Sequence, residues 1–208
     1  MKMKVAGGIG ICAIICLITS CASSYTLIHP QIVYYTDVSI ADSVSFAYRY
    51  DVLSESNNWK YAKKERRENL KVLVIKIVNN SKTTLGFKDN IQLYSGEKQI
   101  TLLDNKDVYD ELKQSVPSFI LYLLLTPIHK LSVNFNGPAN IFPFGYIVGP
   151  LLTGYNVVKA THANAQFSYE LIKYNIVNQK IAPDETVYGI ICFEAHDNVP
   201  LTIKRKNP

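Results

Sequence analysis

The side chains with capacity for covalent, acid–base or metal chemistry are four cysteines (Cys12, Cys16, Cys21, Cys192), four histidines (His29, His129, His162, His196) and a group of carboxylates at Asp104, Asp107, Asp110 and Glu111. The histidines stand apart from one another and from Cys192, so none forms the short-range ligand pair of a zinc site. His196-Asp197 has the makings of an oriented imidazole, but at a strand end it reads as a solvated loop. His162 lies in the run Ala-Thr-His-Ala-Asn-Ala, whose small residues suit a helix surface or interface. Cys192 follows Ile190 and Ile191 and precedes Phe193, which predicts a buried, inert thiol rather than a nucleophile. The carboxylates fall where a helix is expected to start and favour its dipole there. Phosphate-cradling glycine loops, nucleophile elbows and metalloprotease motifs are absent from the sequence after residue 21. This inventory offers no catalytic residue, cofactor site or metal site, and leaves Cys21 as the position to explain.

Lys2 and Lys4 open the chain and are followed by an apolar run from Val5 to Ile18. A short positive region before such a run reads as a secretory signal over residues 1–20. The run reaches Cys21 before the roughly 20 apolar residues that a spanning helix needs. The residues Ile18-Thr19-Ser20-Cys21 resemble the lipobox of bacterial lipoproteins. That resemblance implies a diacylglycerol on the Cys21 thiol, cleavage between Ser20 and Cys21, and acylation of the new amino group, so that membrane lipid is the first partner. Two or three chains make a stable anchor where one does not. Ala22, Ser23 and Ser24 read as the start of a flexible tether within a segment, 21–42, that also carries a first strand.

Removal of the leader takes Cys12 and Cys16 with it, and lipid consumes Cys21. Cys192 is then the one thiol left, so no internal disulfide is available and the core alone must hold the domain. Loss of Lys2 and Lys4 lowers the formal charge from +5 to +3. Such a mild balance, outside the cytoplasm, argues against nucleic acid as a partner.

The elements expected beyond Cys21 are mostly strands. Leu27 to Val38 is rich in β-formers. Ser43 to Leu53 alternates, with Val44, Phe46, Tyr48 and Tyr50 on one side. The basic stretch from Trp59 to Glu68 reads as a solvated connector or short helix capped by Asn57 or Asn58. Leu70 to Val78 is apolar enough for a central strand and ends in Asn79-Asn80-Ser81, which is turn chemistry. Ile91–Tyr94 and Gln99–Leu103 flank Ser-Gly-Glu-Lys as a hairpin. An insert over about 104–175 follows: a helix from Asp104 to Gln114, an apolar stretch from Ser118 to Leu125, a second from Ile141 to Leu152 broken by prolines and glycines, and a helix from Asn156 to Tyr174. The two apolar stretches are too short to span a bilayer and read as a buried cap, with shallow insertion into the bilayer or docking on a membrane partner as the alternatives. Strands return at Ile176–Ile181, Thr186–Glu194 and Leu201–Lys204. Strands on both sides of a helical insert give a mainly β chain, with residues 43–208 as an antiparallel β-sandwich domain.

Two segments carry a family resemblance. Val74-x-Ile-x-Ile77-x-Asn79-Asn80-Ser81-Lys82 is similar to a strand and turn of immunoglobulin-like domains in bacterial lipoproteins. Ile181-x-Pro183-x-Glu185-Thr186-Val187-x-Gly189 is similar to their late Pro-Gly-Glu-Thr-Val-x-Gly strand, with Asp184 in place of glycine. The chain as a whole resembles the uncharacterised lipoproteins of the Bacteroidetes, which implies an immunoglobulin-like antiparallel sandwich, a place in the cell envelope and no catalytic residues. In that group Asp42-Ser43-Val44 resembles an O-glycosylation triplet with the glycan on Ser43, and Ala22 without a following acidic cluster points to an outer membrane lipoprotein facing the periplasm. The expected role is a non-enzymatic interaction or assembly module with an envelope protein as partner. The alternative is a binding protein for a small molecule, lipid or glycan, with residues 116–152 as its lid.

Overall fold

The computed structural model describes residues 21–41, 43–126 and 144–206. Residues 1–20 with the leader, Asp42 of the glycosylation triplet, and residues 127–143 of the insert, His129 included, lie outside the described residues. The chain divides into two compact units, Met1–Ser24 with Gln114–Ala163 and Tyr25–Lys113 with Asn164–Pro208.

The second unit holds the sheets. Strands β1 (Asp37–Ala41), β2 (Val44–Arg49), β3 (Leu70–Asn79) and β8 (Thr186–Glu194) form an antiparallel sheet in the order β1-β2-β3-β8. A second sheet has the order β6-β5-β9, from β5 (Ile91–Ser95), β6 (Lys98–Gln99) and β9 (Thr202–Arg205), and β4 (Leu85–Gly86) pairs with β7 (Lys180–Ile181). All of these pairings are antiparallel. One apolar cluster joins them: Val44, Phe46, Tyr48 and Tyr50 with Leu73, Ile75 and Ile77, and from the other sheets Leu85, Ile91, Leu93, Ile181 and Ile203. The alternation in Ser43–Leu53 thus puts its predicted face into the core, and β3 is central, paired on both sides.

Several expectations are corrected. Helices α1 (Val52–Glu55), α2 (Trp59–Arg67), α3 (Phe87–Asn90), α4 (Asn105–Leu112), α5 (Phe144–Lys173) and a 3-10 segment, Pro117–Leu125, outweigh the strands, so the class is mixed helix and sheet rather than mainly β. The strand expected over Leu27–Val38 gives way to β1, which starts only at Asp37. Upstream backbone donors go instead to side chains: Thr26 N–H to Asn58 Oδ1 at 2.8 Å and Ile28 N–H to Glu170 Oε1 at 2.8 Å. The Ser43–Leu53 strand stops at Arg49, because Asp51 takes a left-handed φ of 58° and turns the chain into α1. The basic stretch is the helix α2, one face of which buries Tyr61, Ala62 and Glu65, so it is more than a solvated connector. Only Lys180–Ile181 of the expected Ile176–Ile181 strand pairs. The broken apolar segment is helical from Phe144 onward and α5 continues through Pro150. A proline removes one helix hydrogen bond, and a helix this long keeps the rest.

Candidate functional site

The chemistry expected at Cys21 directs attention to the unit that contains it. Cys21 is half-buried and Ala22 is buried, 4 % exposed. The Ala22 N–H donates to Asn156 Oδ1 at 2.6 Å. Asn156 is fully buried, and its Nδ2 donates to Leu152 O at 2.8 Å, one turn back along α5, which fixes the amide so that its oxygen meets Ala22. The next residue is held the same way. Ser23 N–H donates to Gln114 Oε1 at 3.0 Å while Gln114 Nε2 donates to Ser23 O at 2.8 Å. A primary amide offers the same donor and acceptor as a peptide group, so Gln114 pairs with the backbone as a neighbouring strand would. Ala22 and Ser23, expected to stand free as a tether, are instead packed and hydrogen-bonded.

Around Ala22 the unit has a small core of Phe119, Tyr122 and Ala160, with Val116, Leu152 and Val157 against it. The Phe119 and Tyr122 rings stack with centroids 6.4 Å apart and planes within 4°. Gly149 lets α5 approach the 3-10 segment: a Cβ there would stand 2.7 Å from Thr126 Oγ1 and 3.1 Å from Tyr122 O. Among the described side chains of the Ser118–Leu125 stretch, the expected burial holds for Phe119 and Tyr122. Ile120, Leu121, Leu123 and Leu124 are exposed, at 53, 64, 42 and 71 %. On α5, Ile147, Leu151, Tyr155 and Val158 are also exposed, and their spacing of four, four and three residues puts them on one helix face. Among the described residues of this unit Lys159 is the one Asp, Glu, Lys or Arg, and the sequence has no acidic residue between Glu111 and Glu170.

In the other unit the buried ionisable groups are occupied with structure. Glu170 accepts from Tyr25 Oη at 2.7 Å, Ile28 N–H at 2.8 Å and His29 N–H at 3.2 Å. The Tyr25 ring joins Tyr61 and Phe167 at centroid distances of 5.1 and 5.4 Å. Glu65 on α2 accepts from Val72 N–H at 2.7 Å, and burial raises its carboxyl to about 7. Cys192, opposite Val72 in the β3–β8 register, is buried as expected; burial pushes its thiol up to about 12, with the Glu65 charge adding to the shift. Neither Cys21 nor Cys192 is in a disulfide among the described residues. His29, His162 and His196 are all exposed, and Ser43 is exposed immediately before β2.

Two open grooves lie in this unit. One, of about 830 Å³, is lined by residues including Glu68, Ser95, Lys98, Leu103, Glu194 and His196. The other, of about 350 Å³, has Arg49, Asp51, Glu55 and Asn198 in its wall. None of the described residues within 116–152 lines either groove. Among the described residues no cluster of three or more His, Cys, Asp or Glu side chains is placed to hold a metal, and no helix is long and apolar enough to cross a membrane.

Sequence reasoning singled out Cys21 but not Asn156, Gln114, Glu170 and Glu65. Asn156 carried a usable signal, a lone amide among Val157, Val158 and Leu152 on an apolar helix. Glu170 had another, as the first acid after a long acid-free run. No family model matches the chain, and no curated protein or solved structure matches it.

Proposed function

We propose that this chain is a bacterial cell-envelope lipoprotein of the kind found in the Bacteroidetes, anchored through lipid on Cys21 after loss of residues 1–20, and that it serves as a non-enzymatic interaction module. The observation that carries the reading is the bond from Ala22 N–H to Asn156 Oδ1. A residue beside a chance cysteine in an unprocessed leader has no reason to be buried in the fold. A residue beside a fixed anchor does, because its packing transmits the anchor to the domain. In this reading the protein sits in the outer membrane facing the periplasm and Ser43, exposed ahead of β2, carries a glycan.

The second unit is read as an immunoglobulin-like sandwich. Its connectivity supports this: β2, β3 and β8 lie side by side as strands A, B and E of that fold do, β9, β5 and β6 as F, C and C′, and the chain crosses between sheets from β3 to β5 and from β8 to β9. The occupation of Glu170, Glu65 and Cys192 with structural tasks supports binding over catalysis. Photo-crosslinkers placed on exposed positions of this unit in cells, such as Lys82, Lys98 and Lys204, are expected to capture a recurrent envelope protein. Recovery of the uncrosslinked chain alone from every position would count against the module.

One observation favours a second reading, a binding protein for a small molecule or glycan: the groove of about 830 Å³ with charged and polar walls. Native mass spectrometry of the delipidated protein is then expected to show a retained ligand, and bare protein at every gentle condition would remove this alternative.

A further inference from the structure

We infer that the exposed apolar face of α5 in the first unit, formed by Ile147, Leu151 and Val158, lies within one leaflet of the bilayer that carries the Cys21 lipid. This rests on the anchor reading above and adds to it a second, protein-made contact with the membrane.

Single exposed apolar residues are ordinary on a protein surface, but a dense group of them marks a membrane or partner contact. Three observations select the membrane. First, the lipid attachment point belongs to the same packed unit: Ala22 sits in one core with Phe119, Tyr122 and Ala160, so the acyl chains and the face are carried by one body. Second, the charge pattern suits lipid. No carboxylate stands anywhere between Glu111 and Glu170 to be repelled by anionic headgroups or desolvated among acyl chains, and the one charged side chain described in the unit is Lys159. Its Nζ lies 5.5 Å from the Tyr155 ring centroid, and a long cationic side chain places its head at the headgroup level while its stem stays apolar. Third, Tyr146 and Tyr155 are exposed on the same helix, and tyrosine, with an apolar ring and a polar tip, concentrates at membrane interfaces.

The dimensions fit lying in a leaflet and not crossing. Ile147 to Val158 of α5 rise roughly 17 Å, against a hydrocarbon core of about 30 Å. An interfacial element of this kind strengthens with buried apolar area and with attraction to anionic lipid.

The test uses the full chain, purified as produced by its host and reconstituted into vesicles of phosphatidylethanolamine and phosphatidylglycerol. Ile147→Trp and Leu151→Trp are each made in a Trp59→Phe background, and unaltered protein reports on the second unit through Trp59. The expected result is strong quenching of the two introduced tryptophans by lipids brominated on the acyl chain, and several-fold weaker quenching by aqueous iodide than Trp59 shows. Bromolipid quenching no greater than for Trp59, with the protein vesicle-bound, overturns the inference and leaves the anchor intact. Shielding from iodide without bromolipid quenching also overturns it, in favour of a protein or a second copy on the face. The Cys21→Ala forms of the same reporters separate the two ideas. Quenching that persists in the Cys21→Ala forms upholds the face without the lipid, whereas absence of any acyl mass on the parent chain sinks the anchor alone.

Discussion

The Ala22 N–H and Asn156 Oδ1 meet at 2.6 Å, which ties the residue after Cys21 to the middle of α5. The lipid proposed on Cys21 would therefore be joined to a folded unit within one residue, and motion of such an anchor would be motion of the unit. Asn156→Leu keeps the branched outline of the side chain and removes the acceptor, leaving a buried N–H unpaired at a cost of about 1–3 kcal/mol. The expected outcome is a lower urea midpoint with much faster amide exchange at Ala22 and Ser23. Exchange at Ala22 as slow as in the parent would mean that the bond does not hold the segment.

Asn79 joins the two segments on which the family resemblance rests. Its Nδ2 faces Thr83 O at 2.8 Å, Ile181 O at 3.0 Å and Ala182 O at 3.1 Å, and its Oδ1 accepts from Ser81 N–H at 3.0 Å. The Asn-Asn-Ser turn thus holds the start of the Pro-Asp-Glu-Thr-Val strand. Asn79→Ala is expected to cost about 2–3 kcal/mol through the unpaired carbonyls, read as a fall in the thermal midpoint. Gly189 answers a different need, since a Cβ there would stand 2.9 Å from Ile176 Cβ. Gly189→Ala overpacks that contact and is expected to destabilise by about 1–3 kcal/mol; an unchanged midpoint would show that Ile176 moves aside freely.

Glu65 gives the fold a pH dependence with a definite sign. Its carboxyl rises from 4.5 to about 7 on folding, chiefly through burial. A raised acid favours the folded state in full below pH 4.5, and the benefit fades as pH climbs through the window to about 7. At about 1.4 kcal/mol per pH unit the swing is of order 3 kcal/mol. Glu65→Gln keeps an oxygen for Val72 N–H and removes the titration. The difference in stability between variant and parent is expected to grow in the variant's favour from pH 5 to pH 8. A difference that stays flat over that range would show the carboxyl to be unperturbed.

Cys192 is 3 % exposed and its thiol is pushed up to about 12. Maleimide is therefore expected to label no thiol of the native, processed protein and a single one in denaturant. Labelling of a native thiol would point to an unacylated Cys21, which is the more exposed of the two.

What the sequence revealed followed from local chemistry. Val44, Phe46, Tyr48 and Tyr50 alternate because one sheet face is buried, and β3 is continuously apolar from Val72 to Ile75 because β2 and β8 flank it and both its faces are covered there. Asp104 announced α4, whose first turn it caps by accepting from Lys106 N–H at 2.9 Å. The failures are tertiary. Leu27–Tyr35 has β-forming residues, but Glu170, more than a hundred residues away, takes its backbone donors. Gly145, Gly149 and Pro150 suggested breaks, yet Gly149 serves a close approach to Thr126 and Pro150 is accommodated within α5. The site divided in the same way: Cys21 stood in a local pattern, while Asn156 and Gln114 acquire their roles only when the chain brings them to Ala22 and Ser23.

The central claim is that Cys21 is the lipidated first residue of the mature protein. Intact and tandem mass spectrometry of the chain purified from membranes of its host tests it most directly. The account predicts a chain beginning at Cys21, with the mass of a diacylglyceryl group on the cysteine and fragments that place it there. A chain that retains residues 1–20, or one that begins at or after Cys21 with no acyl mass, would contradict it.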